Sequence, residues 1–223
     1  AAVQGYRMVL IMPANMTMER RAAMAAFGAE LVLVSEEEGM EGARDLALRM
    51  QAKGEGKVLD QFNNENNPDA HYIGTGPEIW RQTGGRIDVF FASIGTGGTI
   101  TGVGRYLKER NPNVKVIGVE PAQRHHKLSG LKRVTGLPEE HFPSILDRKI
   151  VDDYISVTDD EAFAAGIRIA RTDGLLVGPT TGAVLHAGDD LALHGGKDDD
   201  SQDTHADHED KQGGHDIERG LDE

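Results

Sequence analysis

The 223-residue sequence predicts an α/β fold, layered with mainly parallel sheet, on three observations. Strand-like and helix-like segments alternate from Ala1 to about Gly188. The strand-like segments are short apolar runs that read as buried. A glycine-threonine turn, Ile94-Gly95-Thr96-Gly97-Gly98-Thr99-Ile100-Thr101-Gly102, joins one such run, Asp88 to Ala92, to a helix-like stretch.

Taken in order, Ala1 to Gly5 reads as the last turn of a helix stopped by glycine, so the chain is expected to be a fragment that begins inside an element. Arg7 to Met12 is a strand ended by Pro13. A helix opens after Thr17, its N-cap, and stops at Gly28. Leu31 to Val34 is the next strand, and Met40 to Ala52 an amphipathic helix closed by Gly54 and Gly56. A polar segment, Gln61 to Pro68, leads into a helix near 70–83. Strand 88–93, helix 99–110 and strand Val114 to Val119 follow. A helix capped by Asp159 and Asp160 runs to Thr172, Leu175 to Val177 reads as a buried strand, and Val184 to Ala187 is again helical.

Composition narrows the function classes. The absence of cysteine excludes a disulfide scaffold, a thiolate zinc site and a cysteine nucleophile. No apolar run approaches the roughly 20 residues that span a bilayer, and the reading is a soluble, cytoplasmic protein. The net charge of -13 is concentrated in residues 188–223, which hold 13 acidic against 3 basic residues. That segment is almost without apolar side chains and is expected to be an acidic, disordered tail. Its His205, His208 and His215 have no spacing that fixes a metal geometry, so a solvated tail is preferred to a metal site. Residues 1–187 carry no basic stripe with interleaved aromatics, which argues against a nucleic-acid partner.

The Gly95 turn is the strongest chemical signal. Three glycines allow close backbone approach, and a turn that opens a helix aims unpaired N–H groups and the positive dipole end at one point. Thr96 and Thr99 add hydroxyl donors suited to a phosphate monoester. The turn lacks the Gly-Lys-Ser/Thr of a nucleotide triphosphate loop, and Ile100 stands where a dinucleotide fingerprint needs glycine. A small phosphorylated ligand remains, beside the plainer alternative of a tight strand-to-helix turn. Gly178-Pro179-Thr180-Thr181-Gly182-Ala183 is a second strand-to-helix turn. Thr180 or Thr181 either faces the same crevice or only caps a helix.

These turns, with Gln61-Phe62-Asn63-Asn64, Asn67-Pro68, His71, Thr75-Gly76-Pro77-Glu78-Ile79-Trp80 and Val119-Glu120-Pro121, resemble the cysteine synthase family. The similarity runs in register from about residue 5 to 187. It implies a two-domain pyridoxal-phosphate enzyme of fold type II, incomplete at both ends. Residues 1–60 would be the remainder of the small N-terminal domain, 61–187 the cofactor-binding domain and 188–223 the tail. Under the resemblance, Gly95, Thr96, Gly97, Gly98 and Thr99 hold the cofactor phosphate and Thr180 bonds the pyridine nitrogen. Gln61 and Gly130 would contact the amino-acid substrate, although Gly130 also reads as an ordinary turn glycine.

The implied activity is formation of cysteine from O-acetylserine or O-phosphoserine and sulfide by a homodimer. Cystathionine β-synthase-like chemistry and a non-catalytic homologue are the alternatives. The family's Schiff-base lysine, in Ser-x-Lys-Asp, and its Ser-Gly-Asn-Thr-Gly loop do not occur in this sequence. None of its nine lysines has that context, so no catalytic residue is assigned and the chain by itself is expected not to turn over. The family pattern stops abruptly inside a helix near Ala187, and the stretch beyond is expected to be foreign or frame-shifted.

Overall fold

The structure, a computed structural model, describes residues 1–139 and 142–194. Two parallel sheets are present among them. The first pairs β1 (Val9–Pro13) with β2 (Glu30–Val34), in register from Val9 opposite Glu30 to Pro13 opposite Val34. Helices α1 (Met18–Ala26) and α2 (Gly39–Ala52) accompany it. Thr17 caps α1 as expected, its hydroxyl accepting from the Arg20 N–H at 3.4 Å. Gly5 stops the short opening turn in the left-handed conformation.

The second sheet has the order β3 (Val89–Ser93), β4 (Lys115–Pro121), β5 (Asp153–Val157), all parallel. Helix α5 (Gly98–Arg110) covers one face and the pair α6 (Asp159–Thr172) and α7 (Pro179–His194) covers the other, giving three layers. The side chains of β4 show how period-two alternation builds both cores. Val116 points into a cluster with Ala92, Ile94, Ile100 and Leu146, while Val119 points into one with Val157, Ala162, Ala183 and Ala187. A third cluster, Val103, Tyr106, Leu107 and Val114, joins α5 to the segment before β3.

That segment is a broken helix: α3 (Asn66–Ala70), a π turn (His71–Thr75) and α4 (Gly76–Gln82). It begins four residues before the sequence reading places it. Pro68, which the sequence reading leaves in the polar segment, lies within the first turn of α3, where its missing N–H has no helical partner to lose.

Four further differences follow from the structure. Strand β5 has a weak apolar pattern and becomes a strand by pairing with β4. Helix α6 is capped by Thr158, not by Asp159 or Asp160. The Thr158 hydroxyl accepts from the Glu161 N–H at 3.3 Å and the Glu161 carboxylate accepts from the Thr158 N–H at 2.8 Å, a reciprocal capping box. The Thr158 N–H, and after it the Thr158 hydroxyl donating to the same carboxylate oxygen at 2.7 Å, hold the Glu161 carboxyl below its usual range. Leu175 to Val177 is not a strand: it belongs to neither sheet, and Leu176 is 95% exposed. Helix α7 continues to His194, past the residue where the apolar pattern fades. The rest of the expected tail, with His205, His208 and His215, lies outside the described residues.

Candidate functional site

The carboxyl ends of the parallel strands define the crevice in which such sheets hold ligands. Strand β3 delivers its chain there through Ile94, whose N–H donates to the Val119 carbonyl at 2.9 Å. Gly95 to Thr99 then turn into α5, with Gly97 at φ +89° as the helix N-cap. That angle and its neighbour demand glycine: a Cβ on Gly97 would stand 2.6 Å from the Leu146 Cβ.

The donors of this turn converge. After Gly98, whose N–H is taken by Thr96, the first N–H groups of α5 have no intrahelical acceptors and stand at the positive end of the helix dipole. Thr96 Oγ1 accepts from the Gly98 N–H at 3.3 Å and from Asn67 Nδ2 at 3.1 Å. Both of its lone pairs are thereby engaged, and its own O–H remains to donate outward. Thr99 is exposed, with His71 Nε2 at 3.1 Å from its hydroxyl. A phosphate fits this donor set, which offers N–H and O–H groups and no carboxylate to oppose it.

Asn67 is the bracket of the site, and the sequence reading gave it no role. The same Nδ2 that braces Thr96 donates to the Gln61 carbonyl at 2.8 Å, so one amide fixes the loop and the start of the Gln61 segment. The Gln61 side chain is exposed and has no hydrogen-bond partner among the described residues. Ser144 secures the other end of this segment, donating to Asn63 Oδ1 at 2.8 Å.

Gly130 is also brought to the loop. Its carbonyl oxygen would stand 2.5 Å from a Cβ on Gly95, and Gly130 itself has φ +89°. Three tethers hold its segment. The Lys127 N–H donates to the Asp159 carboxylate at 2.9 Å, and the Lys132 N–H to the Ile94 carbonyl at 2.7 Å. The third is Glu120, a completely buried carboxylate at the end of β4 that accepts from the Val134 and Thr135 N–H groups at 2.7 and 3.0 Å. The hydroxyls of Thr135 and Ser156 donate to its other oxygen. Arg20 of α1 reaches across to Ser129 Oγ at 3.4 Å, linking the β1-β2 lobe to the rim.

Thr180 stands in the first turn of α7, partly buried, beside a Gly182 so close to α6 that a Cβ there would fall 2.0 Å from the Ala162 carbonyl oxygen. Helix α7 packs on β3, the strand that carries the glycine loop. Gln61, Asn67, Gly95 to Thr99 and Gly130 are thus joined by direct contacts, and Thr180 is related to them through β3. Asn67, Ser144 and Glu120 carry roles that only the assembled site displays. Thr75 Oγ1 lies 2.9 Å from His71 Nδ1, and the i, i+4 spacing of that pair is a signal the sequence holds. Among the described residues no cluster of three or more metal-ligating side chains occurs, and no helix is long and apolar enough to cross a membrane.

A neutral, glycine-rich turn at a helix N-terminus, set at the carboxyl edge of a parallel sheet, is an α/β arrangement whose geometry suits an anion. The sequence pattern of the family described as pyridoxal-phosphate dependent enzyme matches residues 1–202, and the chain belongs to that family. The cofactor of that family is pyridoxal phosphate.

Among curated relatives, cysteine synthase B of Pseudomonas aeruginosa is 53% identical over 187 residues, covering 84% of this chain and 61% of the relative. Cysteine synthase B of Escherichia coli K12 is 49% identical over 185 residues, 83% of this chain and 60% of the relative. Among solved structures, O-ureido-L-serine synthase superimposes with a TM-score of 0.79 at 31% identity, over 87% of this chain and 63% of that one. A hydrogen sulfide-producing enzyme from Fusobacterium nucleatum gives 0.77 at 34% identity, over 87% and 67%. The chain spans about three-fifths of the length of the curated relatives it matches.

Proposed function

We propose that this chain is the cofactor-cradling part of a cysteine synthase, which in full forms L-cysteine from an O-activated serine and sulfide. The observation that carries the reading is the loop from Gly95 to Thr99, with outward donors at the head of α5 and Asn67 bracing it to Gln61. The 49–53% identity to cysteine synthase B supports the choice of reaction within the family.

When bound, pyridoxal phosphate supplies an electron sink that lets a β-substituent leave and a nucleophile replace it. In this reading the first N–H groups of α5 and the hydroxyls of Thr96 and Thr99 hold the phosphate. Thr180 offers the pyridine nitrogen a hydroxyl, which supplies a hydrogen bond and not a full proton, and so leaves a milder sink than an aspartic acid would. Gln61, whose amide is uncommitted, donates to the substrate carboxylate. Gly130 and its tethered segment form the rim. No lysine of this sequence stands in Ser-x-Lys-Asp, so none of its residues is assigned the proton-shuttling amine. The division into a remnant small domain, residues 1–60, and a cofactor domain, 61–187, is part of the same proposal, as are the homodimer and the cytoplasmic location.

The test is calorimetric titration of the 223-residue chain with pyridoxal phosphate and with pyridoxal. Loss of the phosphate removes charge-assisted hydrogen bonds worth about 1.5–3 kcal/mol each, so pyridoxal should bind at least tenfold more weakly. Equal binding would sink the cradle assignment. Extended by an upstream segment carrying Ser-x-Lys-Asp and Ser-Gly-Asn-Thr-Gly, the chain should form cysteine from O-acetylserine and sulfide. The unextended chain should not.

A further inference from the structure

His71 occupies the first position of the π turn, half-buried between the glycine loop and its own helix. Its Nε2 lies 3.1 Å from Thr99 Oγ1 and its Nδ1 lies 2.9 Å from Thr75 Oγ1. A single π turn within a helix is a recurrent feature of functional sites. The base of the His71 side chain is packed closely on α5: a Cβ on Gly102 would meet the His71 Cβ at 2.8 Å and the Pro68 carbonyl oxygen at 2.1 Å. Neither ring nitrogen faces open solvent alone, and each is matched to a hydroxyl that can donate or accept.

The polarity of this three-group chain decides what Thr99 can do. A neutral imidazole has one N–H and one lone pair. If Nε2 accepted from Thr99, the Thr99 proton would be consumed and its oxygen lone pairs would face an incoming anion. If Thr75 donates to Nδ1, then Nε2 carries the hydrogen, donates to Thr99 Oγ1 and leaves the Thr99 O–H free to donate. Burial lowers the pKa of this imidazole and so favours its neutral form, in which the arrangement is a single directed chain. Successive donors in such a chain also polarise one another.

We propose that His71 is a positioning residue for the phosphate. Thr75 fixes its tautomer, and its Nε2–H orients the Thr99 hydroxyl so that the Thr99 proton points at a phosphate oxygen. This rests on the reading that the Gly95 loop holds a phosphate. It adds to that reading a side chain that never touches the ligand and yet sets the direction of one of its donors.

The test uses the full 223-residue chain with inorganic phosphate and pyridoxal phosphate as probes, followed by calorimetry and by 15N spectra of the histidine rings. The wild-type His71 should be in the Nε2–H tautomer, with its Nε2 resonance shifting when phosphate is added. Thr75→Val should abolish the tautomer preference. His71→Phe should weaken binding of both probes about tenfold, because the Thr99 hydroxyl is no longer held toward the phosphate and its charge-assisted hydrogen bond is weakened, whereas His71→Gln, which retains an amide donor, should recover most of that loss.

An Nδ1–H tautomer in the phosphate-bound wild type, or a folded His71→Phe that binds both probes at the wild-type level, overturns the role of His71. If His71→Phe proves unfolded by circular dichroism, the tautomer spectra of wild type and Thr75→Val decide by themselves. A wild type that binds pyridoxal and pyridoxal phosphate equally overturns the phosphate reading first, and the His71 role with it. A wild type that discriminates between the two, beside unaffected His71 and Thr75 variants, removes the His71 role alone.

Discussion

Replacing Gly102 with alanine tests the packing on which the site depends, with Gly166 of α6 as the matched control. Both glycines lie inside helices, where alanine is intrinsically better by about 0.8–1 kcal/mol. Their surroundings differ. A Cβ at position 166 meets nothing within 4 Å, while one at 102 falls 2.1 Å from the Pro68 carbonyl oxygen, 2.8 Å from the His71 Cβ and 2.9 Å from the Tyr72 N. Two of those three atoms are backbone and cannot rotate away, so α5 and the α3-π segment must separate. Overpacking of this kind costs about 1–3 kcal/mol, and contacts this short belong at its upper end. Subtracting the propensity gain leaves a net loss of about 2 kcal/mol for Gly102→Ala and a gain of about 0.8 kcal/mol for Gly166→Ala. For a chain of this size the melting temperature should fall by roughly 4–8 °C in the first variant and rise by roughly 2–3 °C in the second. Circular dichroism melts at 222 nm read both, and phosphate titration of Gly102→Ala should show weakened binding because His71 is displaced. A Gly102→Ala melt at or above that of wild type would refute the close approach of α5 to Pro68 and His71.

Glu120→Ala should cost about 3 kcal/mol or more in urea unfolding, because it strands the Val134 and Thr135 N–H groups, and should expose the Lys127 to Thr135 rim to limited proteolysis. Glu120→Gln, which keeps an acceptor and adds a donor for the facing hydroxyls, should cost less than half as much. Thr158→Ala should lose about 1 kcal/mol by removing the side chain of the α6 capping box, measured by the same unfolding curves.

Asp152 gives the pH dependence. Burial by itself pushes its carboxyl up, but the Lys108 ammonium at 2.7 Å and the Val116 N–H at 2.7 Å outweigh it and hold the pKa below the usual aspartate range. A depressed folded-state pKa contributes stability that is complete above the unfolded value, near pH 4, and is lost as pH falls through the folded one. Urea midpoints taken from pH 6 down to pH 2 should therefore fall less steeply in Asp152→Asn than in wild type; parallel curves would show that the pair contributes nothing.

Local pattern carried far along this chain. The apolar runs at 9–13, 30–34, 89–93 and 115–121 are strands because each is short, β-branched or aromatic and bounded by turn residues. The glycine loop was legible because part of its constraint is local: the positive φ of Gly97 at a helix start favours glycine whatever lies around it. Where the deciding partner is remote, the sequence misled. Leu175 to Val177 has the composition of a strand, but a strand exists only where a neighbour accepts its hydrogen bonds. Asp159, the expected cap, faces Lys127 instead, 32 residues away, and the adjacent Thr158 takes the capping role.

The sequence by itself therefore determined the α/β class, the lack of cysteine in these 223 residues and the spelling of the glycine loop, each of which depends on residue type and near-neighbour spacing. Tertiary structure alone decided that Asn67 joins Gln61 to Thr96, that buried Glu120 pins the rim, and that His71 lies between Thr75 and Thr99. The Asn67, Glu120 and His71–Thr99 contacts link side chains to groups that lie 6 to 29 residues away, and a hydrogen bond is specified by distance and direction. Distances between remote residues are set only when α5 packs against both the sheet and the broken helix.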